Sequence, residues 1–377
     1  MKVSAPSSEE RAGIRAFHRA LPGYRSTPLI SMEKTAHEFG FSDLLVKDEG
    51  KRFGLKAFKA LGASHAVYHL LRRRCGGDLN PEEFLTPKGR RAAEGITFTC
   101  ATDGNHGRAL AWIARLLERP AVIYVPRDTV AARIEAIRAE GADVVIVEGG
   151  YDEAVRRASA QGGRGDWAVV ADVGYEGYED LPIFIQQGYL TIFEEVALQL
   201  RERNETMPDH VFIQAGVGAF AGAAAWFFSD SEEGVRLLSV EPLTADCLLR
   251  SARAGDGRVH TVKDNRGTIM AGLNCETPSS TAWPSVCRRF DTYLAIDDHY
   301  AEEAMRILAA CDIVSGESGA AGLAALLALR TERPDLMEGA LRLSGDSRVL
   351  IINTEADTDP DAYGRIVGKT APGGAEP

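Results

Sequence analysis

Short apolar and β-branched runs alternate along this chain with alanine-rich segments of helical period. The runs fall at residues 44–47, 122–125, 144–147, 168–171, 210–213, 237–240 and 349–352, and helical segments include 107–117, 130–140, 189–201 and 318–330. Hydrophobicity that is continuous along a strand marks burial on both faces, so helices must cover both sides of the sheet. The order strand, helix, strand, helix therefore predicts an α/β protein with mostly parallel sheets. No repeat of 20–50 residues is visible, which removes solenoids and propellers. At 377 residues the chain is long enough for two or three domains or an interleaved pair. Residues 75–91, rich in Gly, Pro and charge, and the polar stretch 204–209 read as joints. The expected division is a large discontinuous domain, 1–77 and 205–377, with a small α/β domain, 78–204, inserted in it. The Pro- and Gly-containing stretch after Thr370 is expected to fray.

Charge narrows the partners. With 43 Lys+Arg against 54 Asp+Glu the formal charge is −11, which argues against a broad grip on nucleic acid or on an anionic membrane. The least polar stretch, 211–228, carries Gln214 and several glycines and reads as strand, loop and helix in series rather than a membrane span. Six dispersed cysteines without a CxxC spacing, and an N-terminus interrupted by Glu9, Glu10, Arg11, Arg15 and Arg19, fit a reduced, cytoplasmic location.

Several segments carry chemistry. Gly216, Val217, Gly218, Ala219 and Phe220 follow a predicted strand and open an alanine-rich helix, where small residues let backbone N–H groups approach an anion. The spacing GxGxxxG satisfies neither the dinucleotide fingerprint nor the P-loop, so a tight structural turn is the competing reading. Lys56 and Lys59 sit in an apolar, helix-starting segment, where a desolvated lysine can form a Schiff base with an aldehyde. Asp103, Asn105 and His106 gather in a polar turn before a helix, which Asn105 could simply cap. Asp172 ends a predicted strand, the place where α/β proteins bind ligands. Ser315 to Gly319 and the end of the last strand, with Thr354, add hydroxyl and amide groups. The G-x-S-x-G of a serine hydrolase does not occur around Ser318, and His65 and His69, four apart with no carboxylate between, read as an ordinary helix face rather than a zinc site.

In order along the chain, KDEGKRFGLKAFKALG, ATDGNHGRALAW, DVGYEGYEDLP followed by QQGY, QAGVGAFAG, VEPLTADC, TIMAGLNC, SGESGAAGL and NTEADTD resemble the fold-type II pyridoxal-phosphate enzymes, the threonine dehydratase and tryptophan synthase β group. Within that group the chain is similar to the diaminopropionate ammonia-lyase family, over about Tyr24 to Arg365. The resemblance implies two three-layer αβα domains with pyridoxal 5'-phosphate in the cleft between them, and a homodimer. It makes Lys59 the Schiff-base lysine, Asn105 the partner of the cofactor's 3-hydroxyl, and the backbone of Gly216, Val217, Gly218, Ala219 and Phe220 the phosphate cradle. Thr354 becomes the neutral partner of the ring nitrogen. The implied reaction is α,β-elimination of 2,3-diaminopropionate to pyruvate and two ammonia, with Lys59 the base for the L isomer, Asp103 the base for the D isomer, and Asp172 binding or protonating the β-amino group.

Departures from the family bear on the substrate. Family members usually carry Asn at Lys56, Thr-Ala-Trp at Val173, Gly174 and Tyr175, and a second glycine at Ala63. An inward-pointing Lys56 would repel a cationic diamine and favour an acidic substrate, and the lost Trp reshapes the pocket wall; Lys56 could instead face solvent on the helix of Lys59. The rival reading keeps cofactor and chemistry but eliminates water from threonine, serine or 3-hydroxyaspartate. A β-replacement enzyme and a non-catalytic pyridoxal-phosphate sensor complete the alternatives, the sensor disfavoured by Lys59, Asp103 and Asp172 together. Cys247 and Cys275 stand where family members can carry a cysteine pair, read here as two buried thiols rather than a disulfide.

Overall fold

The computed structural model describes residues 4–162, 165–230 and 234–368; the stretch after Thr370 lies outside them. Among the described residues the strands are β1 (Leu29–Ser31), β2 (Asp43–Asp48), β3 (Thr97–Ala101), β4 (Ala121–Pro126), β5 (Asp143–Val147), β6 (Trp167–Val169), β7 (His210–Gln214), β8 (Arg236–Pro242), β9 (Thr292–Ile296) and β10 (Arg348–Asn353). They form two sheets in two compact units. The first unit comprises Met1–Ala5, Ser26–Lys51 and Ile192–Pro377, the second Pro6–Arg25 and Arg52–Thr191.

The sheet of the first unit runs β1-β2-β10-β7-β8-β9, parallel throughout except for the β1–β2 pair. Leu44, Val46, Phe212, Leu238, Val349 and Ile351 join a core with side chains of helices Asp298–Ala310 and Ala321–Glu332. Their neighbours Leu45, Val211, Leu237 and Leu350 are equally buried and point the other way, since side chains alternate along a strand. Helix Ala219–Phe227 packs on β7 and β8 from that side. Helix, sheet and helix therefore make three layers, and the unbroken apolar runs of the sequence are the signature of its doubly covered strands.

In the second unit the all-parallel sheet runs β5-β4-β3-β6. Helix Tyr151–Ser159 covers one face through Ala154 and Ala158, packed with Ala101, Tyr124 and Val147. Helix Asn105–Leu116 covers the other, so close that a Cβ on Gly107 would stand 2.7 Å from Ile123 Cγ2. The chain is thus an α/β protein built from two such units.

The division differs from the one expected at 78–204. Helix Lys59–Arg74 packs against helices Asn105–Leu116 and Asp180–Gly188, which draws it into the second unit although it precedes the polar joint at 75–91. The N-terminal helix Ser8–Arg19 joins the same unit: His18 bonds to the Leu61 carbonyl at 2.9 Å and to Thr191 Oγ1 at 2.7 Å. Conversely Glu195 and Gln199 are tied to β2 of the first unit, both bonded to the buried Lys47 Nζ at 2.6 and 2.9 Å. Packing overrides the composition of the joints. Strands β1, β3 and β9 were not marked by their sequence; β3 reads polar because of its threonines, yet Thr99 Oγ1 donates to the Val122 carbonyl at 2.7 Å and so is accommodated inside.

Two glycines set the distance between the helices of the second unit. A Cβ at Gly188 would stand 2.4 Å from the Leu61 carbonyl oxygen, and one at Gly62 2.7 Å from Ile185 Cγ2 and from the Tyr189 ring. Helices Lys59–Arg74 and Asp180–Gly188 touch nearly backbone to backbone there, which a backbone atom cannot relieve by turning a rotamer. Gly188→Ala is expected to destabilise the protein by about 1–3 kcal/mol in urea unfolding, the cost of overpacking. Gly364→Ala, in helix Pro360–Val367 with nothing within 4 Å of its Cβ, is the control and should be neutral or stabilising by up to about 1 kcal/mol.

Candidate active site

Lys59 begins helix Lys59–Arg74, and its Nζ donates to Asp172 Oδ2 at 2.7 Å with both side chains largely out of solvent, at 19% and 11% exposure. The loop that carries Asp172 is held by Tyr178, whose hydroxyl donates to the Val169 carbonyl and accepts from the Ala171 N–H, each at 2.9 Å. Tyr175 and Tyr178 pair through their backbones and stack at 5.2 Å between ring centroids. From the neighbouring strand end, Thr102 Oγ1 accepts the N–H groups of Gly104 and Gly107 and folds the turn that presents Asp103. Gly104 caps the following helix at φ 153°, a backbone that only glycine adopts readily, so Asn105 is the first helical residue and not the cap. His106 donates from Nε2 to the Val170 carbonyl at 2.7 Å, which brings its ring beside Asp172.

The charges in this cluster depend on one another. Burial alone would lower the Lys59 ammonium's pKa, but Asp172, reinforced by Tyr189 and Asp103, outweighs it and raises the value above the usual lysine range. For Asp172 burial pushes upward, and the adjacent Lys59, with His106, outweighs it and holds the carboxyl well below the usual range. Asp103 is pushed up by burial against the pull of Arg133 and Lys59, with Asp172 adding to the rise. One ammonium thus faces two carboxylates of unequal basicity, the arrangement expected where a site must both hold and move protons.

The first unit carries the glycine-rich loop. It leaves β7 after Gln214, passes Gly216 and Gly218 (φ 93°) and enters helix Ala219–Phe227, whose start no side chain caps. A Cβ at Gly216 would stand 2.9 Å from Cys275 Sγ and 3.1 Å from the Gly272 carbonyl, so the loop lies against its walls where only glycine fits. The Ser279 N–H donates to the Val217 carbonyl at 2.7 Å. Gln214 Nε2 donates to Thr354 Oγ1 at 3.1 Å and to the Ile352 carbonyl at 2.7 Å, which fixes Thr354 at the end of the adjacent strand β10. Backbone N–H groups at a helix start beside a neutral hydroxyl suit a phosphate and an uncharged ring nitrogen.

Comparison with known proteins converges on this chemistry. A model of the pyridoxal-phosphate dependent enzyme family matches residues 20–355. Diaminopropionate ammonia-lyase of Salmonella typhimurium is 39% identical over 94% of this chain and 91% of its own length. The Escherichia coli enzyme is 40% identical over 94% of this chain and 90% of its own. This chain belongs to the diaminopropionate ammonia-lyase family of pyridoxal-phosphate dependent enzymes. The crystal structure of the holo Escherichia coli lyase superposes with a TM-score of 0.89 at 38% identity, covering 97% of this chain and 94% of that one. The same enzyme in complex with D-serine gives 0.88 over the same shares. Pyridoxal phosphate is the cofactor of the family, and both the lysine cluster and the glycine cradle fit it.

The structure brings Lys59, Asp103 and Asp172 together in the second unit, and the glycine loop and Thr354 together in the first. Lys56 lies elsewhere than expected. It precedes the helix of Lys59 rather than riding on it, in a left-handed turn at φ 59° where Asn is easier to accommodate than Lys. Cys247 and Cys275 are not joined in a disulfide, and of the two Cys247 is buried, its Sγ 3.6 Å from the Gly216 carbonyl, whereas Cys275 is half-buried. His65 and His69 share a hydrogen bond at 3.2 Å on their helix, and His69 stacks on Phe184 at 4.0 Å. Among the described residues no cluster of metal-ligating side chains occurs. Sequence reasoning missed Gln214, Tyr189 and Arg133 as contributors; the first two lie within the recognised motifs, while Arg133 sits in an unremarkable helix.

Asp172→Asn should lower the pKa of Lys59, because burial then acts with less opposition. Titration of 13C-dimethylated lysines by NMR, with Lys59→Arg to assign the signal, checks this; an unmoved Lys59 would contradict the coupling.

Proposed function

We propose that this protein catalyses the α,β-elimination of 2,3-diaminopropionate to pyruvate and two ammonia, using Lys59, Asp103 and Asp172 as its acid–base groups. The observation that carries the reading is the Lys59–Asp172 ion pair with Asp103 beside it: a threonine dehydratase needs no second carboxylate at the position of Asp103, whereas a diamine offered in two stereoisomers does. Family membership sets the cofactor and the reaction class. Bound pyridoxal phosphate would supply an aldehyde for the substrate's α-amino group and a sink for the electrons of its Cα–H bond.

The chain's own groups do the rest. Lys59 Nζ would form the link to the cofactor and, once displaced by substrate, stand free to take the α-proton of the L isomer. Asp103 would take the α-proton of the D isomer from the opposite side. Asp172, whose carboxyl lies well below the usual range beside Lys59 and His106, would hold the β-ammonium, which departs as neutral ammonia. The released enamine then takes up water to give pyruvate and the second ammonia. Backbone N–H groups of Gly216, Val217, Gly218, Ala219 and Phe220 would hold the phosphate, Asn105 the 3-hydroxyl, and Thr354 the ring nitrogen. A neutral hydroxyl at that nitrogen leaves the ring less electron-withdrawing than a carboxylate would, which favours loss of a β-substituent. The proposed setting is the cytoplasm, in keeping with six dispersed cysteines without a CxxC spacing, and the proposed assembly a homodimer. No helix among the described residues is long and apolar enough to cross a membrane.

A second reading, elimination of water from a 3-hydroxy amino acid, is favoured by Lys56, whose cation takes the place of the family's Asn. One assay separates the two. Holoenzyme offered L- and D-2,3-diaminopropionate should release two ammonia per pyruvate; turnover restricted to serine, threonine or 3-hydroxyaspartate would transfer the protein to the second reading. Asp103→Asn should cut kcat/KM for the D isomer by about 100-fold or more, the usual worth of a general base, and the L isomer by much less. Equal losses would remove the two-base scheme.

A further inference from the structure

Arg133 lies on helix Ala131–Ala139 at 6% exposure, an unusual depth for an arginine, since such a side chain is seldom fully buried unless it answers a negative charge. Its stem runs along the turn that presents Asp103. A Cβ on Gly104, the residue after Asp103, would stand 2.8 Å from Arg133 Cδ and 3.3 Å from its Cβ and Cγ. The bare backbone of Gly104, in a conformation reserved for glycine, is what leaves room for the arginine at this point. Glu140, just past the end of that helix, is held by Arg115 at 2.8 Å and Arg108 at 3.5 Å, and Glu135 within it by Arg138 at 2.7 Å.

The charged groups that act on Asp103 come from three elements. Arg133 faces it from helix Ala131–Ala139, Lys59 from helix Lys59–Arg74 and Asp172 from the loop after β6, with His106 of helix Asn105–Leu116 beside Asp172. Lys59 is committed to Asp172 at 2.7 Å. Two carboxylates so placed repel one another, and burial penalises both. The cluster can keep both ionised only if each has a cation, and the second cation is Arg133.

We propose that Arg133 is a positioning residue for the D-isomer reaction, keeping the Asp103 carboxylate charged and oriented to accept the α-proton. The proposal rests on Asp103 being the second base. In the step concerned the Cα–H bond of the D isomer breaks, its proton goes to an Asp103 oxygen, and the electron pair stays with the substrate carbon and the cofactor conjugated to it. Arg133 itself touches neither. Its loss leaves Asp103 buried next to Asp172 with less positive charge, so the carboxyl takes up its proton at higher pH, in line with burial raising it and Arg133 lowering it.

The test is the pH profile of kcat/KM for each isomer in the holoenzyme, Arg133→Gln and Arg133→Lys. In Arg133→Gln the acidic limb for the D isomer should move to higher pH by about one pH unit or more, the effect of removing a nearby opposite charge, while the limb for the L isomer keeps its place. Arg133→Lys should restore most of the D limb. NMR of 13Cγ-aspartate holoenzyme, with the Asp103 signal assigned by its loss in Asp103→Asn, should show the same upward move without any turnover. If Arg133→Gln does not fold, Arg133→Met serves instead, since it keeps the apolar stem along Gly104 while removing the charge and should move the D limb the same way. A D limb that stays put, limbs that move together for both isomers, or an Asp103 signal that does not respond overturns the proposal. An Asp103 signal that moves while Asp103→Asn slows both isomers equally sustains the effect of Arg133 on Asp103 and sinks the second-base reading instead.

Discussion

The ion pair between Lys59 and Asp172, 2.7 Å long and mostly shielded from water, is the interaction around which the second unit is arranged. Such a pair is costly to build, because both charges must leave water. It stands here because each partner is delivered by a rigid element: Lys59 by the first turn of a long helix, Asp172 by a loop pinned at both ends by the Tyr178 hydroxyl. The glycines at positions 62 and 188 let the helix of Lys59 lie against its neighbour at backbone distance, and Phe58 turns its ring to within 5.5 Å of the Lys59 ammonium. Packing, charge and chemistry meet in the same few residues.

A parallel sheet explains why the functional groups gather where they do. Loops leaving the carboxyl ends of adjacent strands converge, and ligands of α/β proteins sit there. In the second unit Asp103 follows β3 and Asp172 follows β6, which are hydrogen-bonded neighbours. In the first, the glycine loop follows β7 and Thr354 follows β10, again neighbours in the sheet. Each unit brings together residues remote in sequence by a single topological rule, and the amide of Gln214 joins the second pair directly.

Much of this was legible before any coordinates. Doubly buried strands such as β2, β7 and β10 stand out because their hydrophobicity is continuous, and the glycine loop stands out because so many small residues follow a strand. Lys59 was distinguishable from Lys56 by resemblance alone, not by any local signal. The backbone sets the two apart, with Lys56 in a left-handed turn ahead of the helix that Lys59 begins. Strand β3 was hidden by Thr97 and Thr99, of which the buried Thr99 is satisfied by the Val122 carbonyl of the neighbouring strand. The domain limits were misplaced because polar joints record where a chain can turn, whereas membership of a unit is decided by packing, as with helix Lys59–Arg74. Arg133 could not have been singled out, for its helix reads as ordinary and its meaning comes from the turn of Gly104 across from it.

The central claim is that the chain holds two separate bases for the two stereoisomers. The most direct measurement is the loss of α-deuterium from L- and D-2,3-diaminopropionate in Lys59→Ala protein supplied with pyridoxal phosphate, followed by NMR. The account predicts washout from the D isomer, carried by Asp103, and none above background from the L isomer. Washout from both isomers, or from neither while the cofactor and substrate remain bound, would contradict it.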